Sequence, residues 1–164
     1  MADAAKLKAA VFRATNDAGD GEGDPAAMIE ISEKLREHPN LIVEAVKNIK
    51  ARIKDKSPAV SLLALDLLDQ CMQSNGLQLQ MQVQKKVLPR ILKFALPNKG
   101  THQLINLKCA NLIRSWVEYG SDGRLSEFAN ASKELARAEE KEKLKQQAAL
   151  QRPGAAAVGG GGGG

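Results

Sequence analysis

The chain has 164 residues, 43% of them hydrophobic but only 3% aromatic, and a formal net charge of +5. That length holds one domain plus a tail, and a core this aliphatic favours packed helices over sheets. No apolar run approaches the ~20 residues of a membrane span and no secretory signal opens the chain, so a soluble protein on the cytosolic side is expected.

The apolar spacing predicts a first helix over residues 3–15, then an acidic, glycine-rich stretch whose Asp24-Pro25 pair is a good helix start. A second helix over 25–36 carries Met28, Ile31, Ser32 and Leu35 on one side. His38-Pro39-Asn40 breaks the pattern and opens a third helix, 40–54. Its Leu41, Ile42, Ala45, Val46, Ile49 and Ile53 form a 3.6-period stripe. Residues 57–76 are the most telling segment: a helix over 58–74, opened by Ser57-Pro58 and apolar on most of its circumference. Such a helix must be buried on most sides. Asn75-Gly76 ends it, a pair that tolerates left-handed dihedrals.

Short helices follow at 78–84 and 87–96, with Pro89 in the first turn of the latter. A helix over 101–119 directs Leu104, Ile105, Ala110, Leu112, Ile113, Trp116 and Val117 toward the core. The last helix, 124–148, docks through Leu125, Phe128 and Leu135, while its charged second half projects, held by pairs such as Glu139–Lys143. The organisation expected is a helical domain over 1–135, a charged extension over 136–150, and a low-complexity linker over 151–164. Ending in a glycine run, the sequence reads as incomplete. Eight helices with short connections favour an all-α superhelix.

No enzyme signature is present: no nucleophile elbow, phosphate loop, zinc-helix motif or carboxylate–histidine set on one face. Cys71 and Cys109 fall among apolar neighbours on helices, and His38 and His102 near helix ends. Their spacing lacks the short pairs that pre-arrange zinc ligands, so buried thiols and no metal or cofactor are expected. Trp116 and Tyr119 share one helix, which leaves little for base stacking and argues against nucleic acid.

Two surfaces stand out. At about 100° per residue, Ile29 lies more than about 90° from the Met28–Ile31–Leu35 stripe, and Pro25 lies within about 40° of Ile29. On the central helix, Leu62 falls among Asp66, Asp69, Gln70 and Gln73, the outer face. The two acids, at i,i+3 with no histidine nearby, read as solvated. Ile29 and Leu62 would form a small exposed patch between the second and fourth helices. The second surface is basic. Lys47, Lys50 and Lys54 make one stripe on the third helix, with Arg52 and Lys56 near its end; Lys85, Lys86, Arg90 and Lys93 make another group. Each lysine near an anionic leaflet contributes about 1 kcal/mol, so either group suits phosphoinositides or another acidic membrane surface.

Several strings, in order, resemble the VHS domain, a module at the N-terminus of endosomal and Golgi sorting adaptors. They are Phe12-Arg13-Ala14-Thr15-Asn16, Ile29-Glu30-Ile31-Ser32-Glu33, Lys50-Ala51-Arg52-Ile53 and Leu112-Ile113-Arg114-Ser115-Trp116. With them go Ser74-Asn75-Gly76 and, most specific, Leu63-Ala64-Leu65-Asp66-Leu67-Leu68 within the Pro58–Cys71 segment. The resemblance covers residues 10–135. It implies a right-handed α-superhelix and a non-enzymatic, monomeric adaptor in vesicle-mediated protein transport, peripherally attached to endosomal or Golgi membranes. It further implies ubiquitin binding through Pro25, Met28, Ile29, Leu62, Asp66 and Asp69. One branch of the family holds an acidic-dileucine peptide between the sixth and eighth helices, where Arg90 and Lys93 would meet the acidic part. Two positions depart: the family's cysteine is absent from Ser74-Asn75-Gly76, and its usual tryptophan is Pro25 here. Losing that anchor implies weak ubiquitin binding. The ENTH/ANTH lipid-binding modules share the superhelix and are the rival reading; polymerase-tail-binding domains are more distant.

Overall fold

Three helix starts in this chain are set by a side chain that accepts from a free backbone N–H of the first turn. In the computed structural model, which describes residues 2–16 and 23–151, eight α-helices follow one another with no strand among those residues. The first, α1, spans Ala2–Ala14. The second, α2 (Pro25–Glu37), starts where the Asp24 carboxylate accepts the Ala27 N–H at 3.1 Å. A 3-10 turn, Pro39–Leu41, leads into α3, Ile42–Ile53. Ser57 caps α4 (Pro58–Ser74) by accepting the Val60 N–H. After it come α5 (Leu77–Lys86) and α6 (Leu88–Ala95), then α7 (Gln103–Ser115), whose first turn is capped by His102 Nδ1. Two 3-10 stretches, Trp116–Ser121 and Gly123–Leu125, precede α8, Ser126–Gln151. Most of the acidic stretch between the first two helices and nearly all of the linker at 151–164 lie outside the described residues.

The order is as expected, and α4 has the bounds read from its sequence. Its Val60, Ser61, Leu63, Ala64, Leu65, Leu67, Leu68, Cys71 and Met72 are all buried. Around it, α2 and α3 pack on two flanks and α7 on a third; α1 closes on α2 and α3, and α6 and α8 complete the stack. Ser61, wholly buried, donates its hydroxyl to the Ile53 carbonyl at 2.7 Å, which satisfies the polar group and ties α4 to the end of α3. No helix among the described residues is long and apolar enough to cross a membrane.

Four local expectations need correction. Asn75 is extended (φ −116°), not left-handed; it ends α4 with its side chain, whose amide donates to the Cys71 and Ser32 carbonyls. Leu104 is 55% exposed and Val117 40%. Leu104 sits in the first turn of α7 on its outer face, and the change to 3-10 winding at Trp116 shifts the phase that would have turned Val117 inward. Finally, Glu139 pairs with Arg114 of α7 rather than with Lys143, so α8 is tied to the body beyond its last buried leucine, Leu135. Trp116, Tyr119 and Phe128 meet edge to face, with centroids 6.0 and 5.7 Å apart around Phe128. Gly120 permits that closure, since a Cβ there would come within 2.6 Å of the Ala129 nitrogen.

Both cysteines are buried, and loss of hydration pushes their thiols up to about 12. A folded chain at pH 8 should therefore show almost no fast reaction with a thiol reagent such as Ellman's, and two equivalents only after denaturation. Rapid native labelling of either thiol would contradict this packing.

Candidate functional site

Three helices, α2, α4 and α7, run side by side in the same direction, and specific contacts give their register. Gly23, just before α2, lies against Leu63, and the Ser32 carbonyl accepts from Asn75 at the far end of α4. Between these contacts Pro25 falls level with about Asp66 and Ile29 about one turn further, near Gln70. On the other flank Asp66 pairs with Lys108, and Asp69 accepts the Trp116 indole N–H at 2.9 Å. Those rungs place Leu104, one turn before Lys108, beside Leu62, one turn before Asp66. The outer strip therefore carries Pro25 and Ile29 from α2, Leu62, Asp66 and Gln70 from α4, and Leu104 and Lys108 from α7. Ser61 bonds to α3 from the opposite side of α4, so α3 stands behind this strip.

The sequence-derived set divides on this frame. Pro25 and Asp66 are exposed, Ile29 is 46% exposed, and Leu62 is half-buried. Met28 is not a surface residue: at 8% exposure it belongs to the core stripe of α2. Neither acid is simply solvated. Asp66 is bridged to α7, and Asp69 holds the Trp116 indole and the Gln73 amide. Asp69 is a packing residue, and its charge adds to burial in pushing the Tyr119 phenol upward. Leu104 was missed as a surface residue; the cue was His102, whose capping role starts α7 one residue before it.

The two basic groups, separate in sequence, form one surface. Lys50, Lys85, Lys86, Pro89, Arg90 and Lys93 line an open basin of about 300 Å³. Next to it Val43, Val46, Lys47, Lys50, Gln82 and Lys86 line a hollow of about 270 Å³, so the two share Lys50 and Lys86. The cause is tertiary: α5 packs against α3 and carries α6 with it. No carboxylate lines either hollow, and none of the six cations is ion-paired among the described residues. Val43, 57% exposed, adds an apolar edge. Lys54 continues the α3 stripe outside both hollows. Arg90 and Lys93 face this basin and do not line the trough between α6 and α8.

Arg52 leaves the basic set. Its Nε donates to Thr15 Oγ1 at 2.8 Å, one terminal nitrogen donates to the Thr15 carbonyl, and the other reaches Asp55. The guanidinium also stacks 4.0 Å from the Phe12 ring centroid. It clamps the end of α1 to α3, with three of its five N–H donors engaged and its cation held over an aromatic ring. Arg52→Ala should cost about 1–3 kcal/mol in urea unfolding, because the hydroxyl and carbonyl oxygens of buried Thr15 lose their charged donor while the hydroxyl keeps only the Val11 carbonyl. Unchanged stability would return Arg52 to the surface set.

The comparisons with known proteins agree with this architecture. The VHS domain model matches residues 1–139. The chain is 33% identical over 129 residues to TOM1-like protein 3 of Arabidopsis thaliana, covering 77% of this chain and 25% of that protein. With TOM1-like protein 8 of the same plant it shares 34% over 131 residues, 78% of this chain and 21% of that one. With Vacuolar protein sorting-associated protein 27 of Yarrowia lipolytica it shares 24% over 116 residues, 70% and 20% respectively. The chain thus spans a quarter or less of the length of these relatives. A match across the whole helical body, beyond what a shared superhelix requires, decides between the rival readings: the chain belongs to the VHS domain family.

Proposed function

We propose that this domain is a non-enzymatic adaptor module in vesicle-mediated protein transport. It reads ubiquitin on cargo through the α2–α4 strip and rests on an anionic, phosphoinositide-bearing leaflet through the α3–α5–α6 basin. A relative named for vacuolar protein sorting supports the transport setting. The observation that carries the ubiquitin reading is Ile29, an aliphatic side chain left in water on the strip that also carries half-buried Leu62. The set that enters this reading is Pro25, Ile29, Leu62 and Asp66; Met28 and Asp69 are withdrawn from it. Endosomal or Golgi membranes are the proposed place of attachment.

Proline in place of the family's tryptophan removes an interface anchor. Binding should be weak, roughly sub-millimolar, or about −4 to −5 kcal/mol. Titrating labelled protein with ubiquitin should move the amide signals of Ile29 and Leu62, and Ile29→Asp should abolish those shifts. A titration that leaves both signals still at millimolar ubiquitin would refute the assignment.

A further inference from the structure

We propose that the groove between α1 and α2 docks an amphipathic helix of a partner protein, one that carries two carboxylates two turns apart with an aliphatic side chain between them. The groove encloses about 360 Å³ and shares no residue with the α2–α4 strip or the basic basin. Its floor is apolar: Ala10 and Ala27 are half-buried, above buried Leu7 and Ile31. Around the floor stand Lys6 and Arg13 from α1 and Lys34 from α2, against one carboxylate, Glu30. Among the described residues none of these four charges is in an ion pair. A net-positive cleft over an apolar base is complementary to an acidic, aliphatic partner. A lipid headgroup would neutralise the cations and leave the floor unfilled, so a peptide is the better match.

Geometry narrows the occupant. Gly23, just before α2, lies against the Ala14 carbonyl at the end of α1, where an added Cβ would come within 3.3 Å. Both helices line the groove over two turns, Lys6 to Arg13 and Ala27 to Lys34, so they run alongside each other in opposite directions. That puts Lys6 and Lys34 at one end, Arg13 at the other, and Glu30 between them. Lys6 and Arg13 are about 10.5 Å apart along α1, at about 1.5 Å per residue. A third helix laid in the groove has the same rise, so its residues i and i+7 share a face and reach both basic ends. Its residues i+3 and i+4 then meet the floor, and Glu30 excludes a further carboxylate at mid-groove. These are the anchor spacings of a helix seated in a groove. The place in the fold agrees. Helix α1 packs on α2, α3 and α4, and α2 on α1, α4 and the 3-10 turn that follows it. They open the stack, so among the described residues no further layer covers their outer side, and an added helix would extend the superhelix by one.

The test uses the full 164-residue chain and fluorescein-labelled, alanine-rich peptides of about 20 residues, long enough to hold helix in water. One carries Glu-Gln-Ala-Ile-Ala-Gln-Ala-Glu at its centre. A second has lysine at both glutamate positions, and a third has serine in place of isoleucine. By anisotropy at about 0.15 M salt, the acidic helix should bind at least about ten-fold more tightly than the lysine helix. The serine change should weaken it several-fold, because the floor then goes unfilled. Lys6→Glu with Lys34→Glu should reverse the order of the acidic and lysine helices, with circular dichroism matching the parent. Equal affinity for those two helices, no binding of either at millimolar concentration, or an order that survives the double substitution would each overturn the proposal. A serine helix that binds as well as the isoleucine one, with phosphoinositide vesicles displacing both, would give the groove to a lipid surface and overturn it too.

Discussion

Replacing Trp116 by alanine should lower unfolding free energy by about 3–5 kcal/mol, the largest loss expected from any single change in this chain. Its side chain is 1% exposed, sits edge-on to Phe128, and donates its N–H to Asp69. One residue therefore joins α4, the end of α7 and the start of α8. Trp116→Phe separates the two contributions. It keeps most of the packing, and Asp69 retains Gln73 as a donor, so about 1 kcal/mol should be lost. Because Trp116 is the only tryptophan, urea unfolding must be followed by circular dichroism at the helical band. Equal losses for the two variants would mean that the hydrogen bond, not the ring, carries the junction.

The second large effect is expected on lipid. Lys50→Gln, Lys86→Gln and Arg90→Gln together remove three of the six basin cations. At about 1 kcal/mol each this is about 3 kcal/mol, or roughly 150-fold in partitioning onto anionic vesicles. Parent binding should fall steeply as salt rises and the Debye length shrinks. Co-sedimentation of the triple variant at the parent level, or parent binding that survives high salt, would remove the basin from the account. The comparison with Arg52→Ala is informative, since that change should weaken the fold and leave vesicle binding in place.

How much of this was legible in the sequence depended on the range of the interaction. The bounds of α4 could be read because Ser57 and Pro58 act within one turn of the helix they start and the apolar run is continuous. The stripes of α2 and α3 came out correctly for the same reason. Leu104 and Val117 did not, because a helical wheel is only as good as its starting residue and its winding. Arg52 looked like a surface cation because its partner, Thr15, is 37 positions away. Asp69 likewise looked solvated because Trp116 is 47 positions away. The merging of two basic clusters depends on α5 lying against α3, a contact no local pattern encodes. In the candidate ubiquitin strip, the wheel found Ile29 and Leu62, but their stagger by about two turns needed Gly23 and Asn75 as markers.

The position of α3 behind α4 has a consequence for how two weak attachments cooperate. A molecule lying on lipid by its lysine-bearing flank would point the Ile29–Leu62 flank away from the bilayer, toward the headspace where tagged cargo tails reach. Neither contact would obstruct the other, and holding one would confine the search for the second to a thin shell above the leaflet. Avidity of that kind lets a pair of fleeting grips act as one durable grip.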